Sequence, residues 1–325
     1  MMKKILKFLL FLILIISSIF YMNSVVIDKS YNRYYMMREE LKTKNEKFDV
    51  EVYGSCHAYT SFNPMESNYN AYNKANPGEI IPVTYLHMVE QFKKNKPKVA
   101  LVDIWGVMAY DTYIDKEEIF GSYLKYNLEL LPFNREKIEV INDVDELNIL
   151  NDNLHIFRYK DRIINWGLSE IDFNYSFKKA RKIYETDRTT YLYDEMENRF
   201  NNNGYNNLPT TSLDDYDSLQ NKINDETQPV EAVLMKYIDK IIELCEKNDV
   251  QLIFYRAPYV SKISELEKRN YIANYLANKG IYFYDLEKEI EFNKLEDFSD
   301  YQHLSGTGAS KATEFLNNKI EKLIE

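Results

Sequence analysis

The sequence predicts an α/β protein in which strands alternate with helices to build a mostly parallel sheet. Three observations support this fold class: short apolar or alternating runs typical of strands, longer runs with helical spacing, and their alternation along most of the chain. Such alternation places helices on both faces of the sheet, which is a three-layer α/β/α arrangement. Because ligands bind at the carboxyl ends of parallel strands, we expect chemistry in the loops that follow them.

The N-terminus carries a targeting signal. Lys3, Lys4 and Lys7 precede an apolar run from Phe8 to about Met22. Positive charge before an apolar run predicts a cytoplasmic N-terminus with the rest of the chain outside, and the run is near the lower length limit for crossing a bilayer. A cleaved signal peptide is the alternative, but no Ala-x-Ala site follows the run, which favours an uncleaved anchor. The prediction is a single-pass cell-membrane protein with an extracytoplasmic domain.

The rest of the chain divides into a polar stalk over residues 28–47 and an α/β domain over residues 48–325, after an anchor over residues 1–27. Residues from about 119 to 227 break the rhythm of the domain and predict a helical insertion beside the active face. Strands are predicted at 48–53, 98–105, 250–255 and 281–286, and helices at 82–94, 230–248, 261–278 and 308–325.

Composition argues against several classes of function. With 51 acidic and 41 basic residues, the formal net charge is -10, so the chain repels phosphate backbones and no nucleic-acid partner is expected. The cysteines, Cys56 and Cys245, lack the paired spacing of a zinc site and do not make a disulfide scaffold. The four histidines show no HxxxH or HExxH spacing, so no metal or other cofactor is predicted.

Residues 52–58, Val-Tyr-Gly-Ser-Cys-His-Ala, form the first segment that carries chemistry. Ser55 follows a predicted strand that stops at Gly54, and glycine permits the tight turn that leaves the strand. A serine there lies at the carboxyl edge of the sheet, where a reacting group can reach it. An ordinary strand-to-loop turn is the structural alternative, because Gly-Ser is common in such turns.

The second segment lies before the last predicted helix, at residues 297–309, Asp-Phe-Ser-Asp-Tyr-Gln-His-Leu-Ser-Gly-Thr-Gly-Ala. Asp300 and His303 have a spacing that lets the carboxylate accept from one imidazole nitrogen while the other takes a proton from a nucleophile. Asp297 is the second candidate for this acid. A surface aspartate and a hydrogen-bonded histidine near a helix start is the structural alternative.

Together, the strand-Gly-Ser segment and the Asp-x-x-His-Leu segment resemble the SGNH (GDSL-type) hydrolase family, whose sheet is flavodoxin-like. The resemblance covers about residues 48–325 and implies that Ser55 is the nucleophile, His303 the general base and Asp300 its orienting partner. The Gly-Ser-Cys-His-Ala run is similar to a Gly-x-Ser-His variant of the first segment. That variant is found in membrane-anchored relatives that acylate or deacylate cell-envelope polymers, such as the D-alanyl transfer proteins of teichoic acid and the alginate acetyltransferases.

The resemblance implies an extracytoplasmic serine esterase or O-acyltransferase that acts on acyl groups of cell-envelope polymers without a cofactor. Its implied partners are an acylated polymer or acyl donor and a membrane-bound acyltransferase. The family's Gly-x-Asn-Asp is missing after the strand that ends at Trp105, where Gly-Val-Met-Ala stands at residues 106–109. A catalytically inactive binding or scaffold protein of an envelope-modifying complex is therefore the alternative.

The oxyanion hole is the least defined part of the predicted site. Candidate oxyanion donors or substrate contacts are Gly54, Cys56, His57, Asn73, Gly78 and Gly106. Cys56 is also an alternative nucleophile in a Cys-His pair, but the position directly after Gly54 favours Ser55. His57 either contacts substrate or bonds a loop carbonyl, whereas His87 and His155 are expected to be structural.

Overall fold

The computed structural model describes residues 2–29, 47–108, 127–128, 131–132, 134–144, 199, 202–210, 230–259 and 264–324. Most of the predicted stalk and most of the predicted insertion, with His155, lie outside these residues. The chain divides into two compact units. One comprises residues 1–44 and 128–196, and the other comprises residues 45–127 and 197–325.

The four predicted strands and the four predicted helices of the domain occur in the predicted order, with further short elements between them. The strands are β1 Val50–Tyr53, β2 Ala71–Asn73, β3 Val99–Asp103, β4 Gln251–Arg256 and β5 Tyr282–Asp285. The helices are α1 Met2–Lys29, α2 Cys56–Ser61, α3 Ile81–Phe92, α4 Trp105–Met108, α5 Arg135–Asp143, α6 Ala232–Lys247, α7 Ser264–Asn278, α8 Leu286–Glu289 and α9 Gly306–Ile324. A 3₁₀ turn spans Pro64–Glu66.

The first unit contains α1, and within it the segment Lys3–Tyr21 has a mean hydropathy of 2.2 over its 19 residues. This segment is long and apolar enough to cross a membrane, and none of it is buried. The predicted apolar helix is therefore present. The same unit contains α5, which begins after Asn134, whose side-chain oxygen caps the helix by accepting from the backbone N–H of Lys137 at 2.8 Å.

The second unit contains a five-stranded sheet in the order β2-β1-β3-β4-β5, and every pairing is parallel. This is the strand order of flavodoxin-like sheets, and the chain reverses its direction of winding between β1 and β3. In sheets of this strand order, ligands bind at the carboxyl edge where the winding reverses. The α/β class and the parallel sheet that the sequence predicts are confirmed.

Strand β1 differs in one respect from its sequence pattern, which alternates apolar and polar residues. All four of its residues are buried, including Glu51, which accepts from Asn95 at 2.8 Å and pairs with Lys74 at 3.3 Å. These partners compensate the buried carboxylate. The strand is thus internal, between β2 and β3, and its alternation does not mark a solvent face.

The sequence did not predict β2, because three residues with one aromatic and one asparagine give no strand signal. It pairs with β1 through Val50 and Ala71. At the other end of the chain, α9 packs beside the segment after α2. There, Thr313 accepts from the backbone N–H of Asn63 at 2.9 Å, and Ser67 donates to Asn317 at 3.2 Å. These bonds join residues near 60 to the last helix.

Candidate active site

The turn after β1 depends on Gly54, which has a φ of +130°. A Cβ at this position would lie 2.9 Å from the Cβ of Asp103 on β3. Only glycine therefore allows both the backbone angle and the close approach of the ends of β1 and β3. As a result, Ser55 and Cys56 leave the carboxyl edge of the sheet directly beside the end of β3.

Ser55 is fully buried and acts as the N-cap of α2. Its hydroxyl accepts from the backbone N–H of His57 at 3.2 Å and donates to a carboxylate oxygen of Asp103 at 3.0 Å. Among the described hydrogen bonds, none joins Ser55 to His303. The described bonds of the Ser55 hydroxyl group thus go to the helix cap and to Asp103.

Asp103 ends β3 and is fully buried. Burial raises the pKa of its carboxyl group to about 7, although hydrogen bonds from Ser55 and from the backbone of Ala257 oppose this rise. The carboxyl group thus ties the ends of β1, β3 and β4 together. It is a buried titratable group at the carboxyl edge that the sequence analysis did not identify.

Asp300 and His303 form the predicted pair. His303 Nδ1 lies 2.9 and 3.0 Å from the two carboxylate oxygens of Asp300, which also accepts the backbone N–H groups of Gln302 and His303. Because Nδ1 faces the carboxylate of Asp300, the other ring nitrogen, Nε2, faces away from it. That nitrogen is buried and forms no hydrogen bond.

Asp300 and His303 each stabilise the charged form of the other side chain. Burial lowers the pKa of His303, but its electrostatic interaction with Cys56 and its hydrogen bond to Asp300 outweigh burial and raise the pKa to about 10. Burial raises the pKa of Asp300, but the hydrogen bond and the charge of His303 outweigh it and lower that pKa. The imidazole therefore carries a proton at neutral pH beside an ionised carboxylate.

Cys56 is the side chain that the fold brings to His303. It is the first residue of α2 and is partly exposed. Its sulfur and one ring nitrogen each of His57 and His303 all lie within 4.8 Å of one another. Because Asp300 holds Nδ1 of His303, the nitrogen left for Cys56 is Nε2. Cysteine, histidine and aspartate thus follow one another in space.

His57 packs against three other aromatic rings at the site. Its ring stacks on Trp105 with centroids 4.4 Å apart and lies 5.0 Å from the ring of Tyr259 and 5.2 Å from that of His303. Burial, with the nearby positive charges of His303 and Arg256, lowers its pKa well below the ordinary value. Both of its ring nitrogens are buried without a hydrogen-bond partner. No loop carbonyl binds this ring, contrary to one of the two expectations.

Several predicted candidates have other roles. The amide of Asn73 donates to the carbonyls of Ala58 and Phe62 at 3.0 Å each, so both of its hydrogens are engaged and it is not an oxyanion donor. Asp297 accepts from Lys311 at 2.6 Å and not from His303, so Asp300 is the acid of the pair.

Two glycines and one histidine complete the set of predicted candidates. Gly78 lies in a turn with a φ of +65°, and Gly106 lies within α4. Among the contacts of the described residues, none assigns either glycine to an oxyanion hole. His87 pairs with the buried carboxylate of Glu79 at 3.4 Å, which agrees with a structural role.

Three side chains at the edge of the sheet were missed from sequence, namely Trp105, Arg256 and Tyr259. Arg256 is fully buried, pairs with Asp285 at 3.2 Å and with Glu287 at 2.7 Å, and lies 4.5 Å from the ring of Tyr259. Their positions in the sequence could have identified them, because all three lie at or just after the carboxyl end of β3 or β4, where ligands bind in parallel sheets.

The fold and the site define an α/β protein with a parallel five-stranded sheet and a Cys-His-Asp cluster at its carboxyl edge. Residues 140–325, more than half of the chain, match the sequence model of a protein family, and the chain therefore belongs to this uncharacterised family. The matched part includes Asp300 and His303 and begins after Cys56. No curated protein matches the chain significantly.

Proposed function

We propose that the protein is a cysteine-dependent acyl-transfer enzyme in which Cys56 is the nucleophile, His303 the proton carrier and Asp300 its orienting partner. One observation carries this proposal: His303 is fixed by Asp300 through Nδ1, and its buried, unpartnered Nε2 is on the side left for the Cys56 sulfur. This is the arrangement of nucleophile, base and orienting carboxylate that activates side chains for acyl transfer.

The chemistry uses the three side chains in two steps. With the proton on His303, the Cys56 sulfur bonds as a thiolate to the carbonyl carbon of an ester. The ester C–O bond then breaks, and the leaving oxygen takes the proton from His303, which leaves a thioester on Cys56. In the second step His303 takes a proton from water or from a hydroxyl group, whose oxygen displaces the sulfur. The released Cys56 thiolate is left beside the protonated His303, as at the start of the first step.

The charge distribution supports the first step. The raised pKa of His303 favours the form in which the imidazole carries the proton that the leaving oxygen takes. The Cys56 sulfur and a ring nitrogen of His303 lie within 4.8 Å of each other. The two side chains can approach more closely during the reaction, because catalytic hydrogen bonds are often long before substrate binds.

The proposed nucleophile, Cys56, is the residue after Ser55, which the sequence analysis predicts in this role. Ser55 shares its hydroxyl with the cap of α2 and with Asp103, and both contacts hold it in place. It is a positioning residue here, because it sets the start of the helix on which Cys56 lies. A serine nucleophile would have to break its bond to Asp103 and reach His303.

The fold type, the membrane location and the substrate class that the sequence predicts are also part of this proposal. The segments that resemble SGNH hydrolases lie at the carboxyl edge of a sheet with the flavodoxin-like strand order, which supports a three-layer fold of that kind. The apolar helix α1 supports a membrane anchor with the acyl-transfer domain outside the cell. The substrates are then acyl groups of envelope polymers, exchanged with water, with a polymer hydroxyl or with a membrane-bound acyltransferase partner.

The test uses the full chain in detergent and compares the unsubstituted protein with Ser55→Ala, Cys56→Ala, Cys56→Ser and Cys245→Ala. Each protein is incubated with p-nitrophenyl acetate, and the acetyl adduct is mapped by peptide mass spectrometry before and after neutral hydroxylamine. A thioester is cleaved by neutral hydroxylamine and an oxygen ester of serine is not. Cys245→Ala is the matched control, because it removes the buried cysteine outside the site.

We expect a hydroxylamine-sensitive adduct on Cys56 that survives Ser55→Ala and Cys245→Ala and is absent from Cys56→Ala. A hydroxylamine-resistant adduct that requires Ser55 would overturn the cysteine assignment in favour of the serine triad. If no variant changes the adduct pattern, the fold serves a binding or scaffold role. Persistence of the adduct in water, with loss on addition of a polyol or glycan, identifies a transferase rather than an esterase.

A further inference from the structure

We infer that Cys56, His57 and His303 also form a binding site for a zinc ion. Their ligand atoms, one sulfur and two imidazole nitrogens, all lie within 4.8 Å of one another. Cys56 and His57 are neighbours at the start of α2, whereas His303 comes from the loop before α9. Sequence spacing therefore could not predict the cluster, since the ligands come from opposite ends of the domain.

The nitrogens of this cluster are unsatisfied. Both ring nitrogens of His57 and Nε2 of His303 are buried and have no hydrogen-bond partner. Buried polar atoms in proteins nearly always have a partner, and three such nitrogens within one cluster require an explanation. A metal ion between them supplies partners for one nitrogen of each ring, next to a sulfur that also binds soft metals.

The second contact of His303 is that of a metal ligand. Its Nδ1 is hydrogen-bonded to both carboxylate oxygens of Asp300, at 2.9 and 3.0 Å. Histidines that bind metal through one nitrogen usually donate the other to a carboxylate, which fixes the tautomer and makes the ligating nitrogen more basic. Asp300 is therefore an orienting residue for zinc as well as for acyl transfer.

The type and number of ligands select zinc. One thiolate and two imidazoles match the Cys-His-His sets that zinc accepts in tetrahedral geometry, and three protein ligands leave a fourth position for water. Bonds of about 2.0–2.3 Å place tetrahedral ligands about 3.3–3.7 Å apart. The side chains must close by roughly 1.5 Å at most. Cys56 and His303 are partly exposed, so an ion and a water molecule can enter.

Zinc binding has a consequence for chemistry at the same place. Coordination needs a thiolate sulfur and unprotonated ligating nitrogens, so binding releases to solvent the proton held by the Cys56–His303 pair and occupies the sulfur. A zinc-loaded protein therefore cannot form the thioester, and zinc acts as a reversible block. The zinc site itself does not depend on the proposed acyl transfer, because its test below uses no acyl donor.

The test uses the full chain in detergent after removal of metal with a chelator, and Co²⁺ as a spectroscopic substitute for Zn²⁺. We expect one ion per chain, visible d–d bands of a tetrahedral site and a near-ultraviolet thiolate-to-cobalt band, all reversed by Zn²⁺. Cys56→Ser and His303→Ala remove the signal, and Cys245→Ala leaves it unchanged. Asp300→Asn lowers the zinc affinity by about 10- to 100-fold.

A second measurement avoids variants that fail to fold. The unsubstituted chain is treated with iodoacetamide with and without zinc, and alkylation of each cysteine is mapped by mass spectrometry. Zinc is expected to protect Cys56. Equal alkylation of Cys56 at saturating zinc, or an ion that still binds the Cys56→Ser and His303→Ala proteins with full affinity, overturns the inference. These outcomes leave the acyl-transfer proposal untouched.

Discussion

His303 and Asp300 are held together by two contacts between one imidazole nitrogen and both carboxylate oxygens, at 2.9 and 3.0 Å. The carboxylate also accepts two backbone N–H groups from the same short loop, so the acid is fixed before it orients the base. The loop therefore fixes the imidazole ring through Nδ1 and leaves Nε2 for other partners at the carboxyl edge of the sheet.

The first prediction concerns this orientation. Asp300→Asn keeps the size of the side chain but can present an amide N–H to Nδ1, which favours the wrong tautomer. We expect the rate of Cys56 acetylation by p-nitrophenyl acetate to fall by about 10²- to 10⁴-fold. The rate is measured by the appearance of p-nitrophenol in the first turnover. An unchanged rate with a folded protein contradicts the role of Asp300.

The second prediction separates Ser55 from the nucleophile. Ser55→Ala removes the cap of α2 and the donor to Asp103, so the free energy of unfolding is expected to fall by about 1–2 kcal/mol. The acetyl adduct on Cys56 is retained. Urea unfolding and adduct mapping on the same preparation test both parts. Loss of the adduct without loss of stability points to Ser55 as the nucleophile.

The third prediction follows from the buried carboxyl group of Asp103. Its pKa is about 7 in the folded protein and 3.8 when unperturbed, so between these values the folded state binds more protons than the unfolded state. This group therefore makes the free energy of unfolding decrease as pH rises from about 4 to about 7. The contribution is fully present below the lower pKa and lost above the upper one.

Asp103→Asn removes this titration. We expect the difference in free energy of unfolding between the unsubstituted and Asp103→Asn proteins to decrease by a few kcal/mol from pH 4.5 to pH 8. The comparison cancels the other titrating groups that the two proteins share. A difference that stays constant over this range shows that the carboxyl group is ionised throughout.

The fourth prediction concerns the turn that delivers Cys56. Gly54→Ala forces a Cβ to within 2.9 Å of Asp103 at a φ of +130°, and we expect a loss of about 2–4 kcal/mol in the free energy of unfolding. Gly280→Ala is the matched control, because Gly280 also has a positive φ of +71° but nothing within 4 Å of the added carbon. Its expected cost is about 1 kcal/mol. Equal costs contradict the close approach of β1 and β3.

Much of the fold was readable from sequence because strands and helices are patterned locally. The apolar run at β3 and the amphipathic pattern at α6 identify these elements within a few residues. Strand β2 was missed, since three residues carry no period and its hydrogen bonds come from β1. Glu51 is buried although the alternating pattern of β1 predicts that it is exposed. Its burial is possible because two residues distant in sequence, Asn95 and Lys74, compensate its charge.

The site was predictable only in part. Asp300 and His303 were found because their interaction is local and depends on a spacing of three residues. The direction in which α2 leaves β1 determines which side chain lies beside His303. Ser55 lies beside Asp103, whereas Cys56, the next residue, lies near His303. The direction of the helix cannot be inferred from a linear sequence motif.

The packing of α9 beside the segment after α2 has a consequence for the order of events in the life of the chain. Cys56 is made early, whereas Asp300 and His303 are made about 240 residues later and are held by the loop that leads into α9. Until that loop and α9 have been synthesised and packed, the Cys56 thiol has neither Asp300 nor His303 near it. Under the proposed function, the growing chain therefore has no base for the Cys56 thiol, and this protects it from premature acylation.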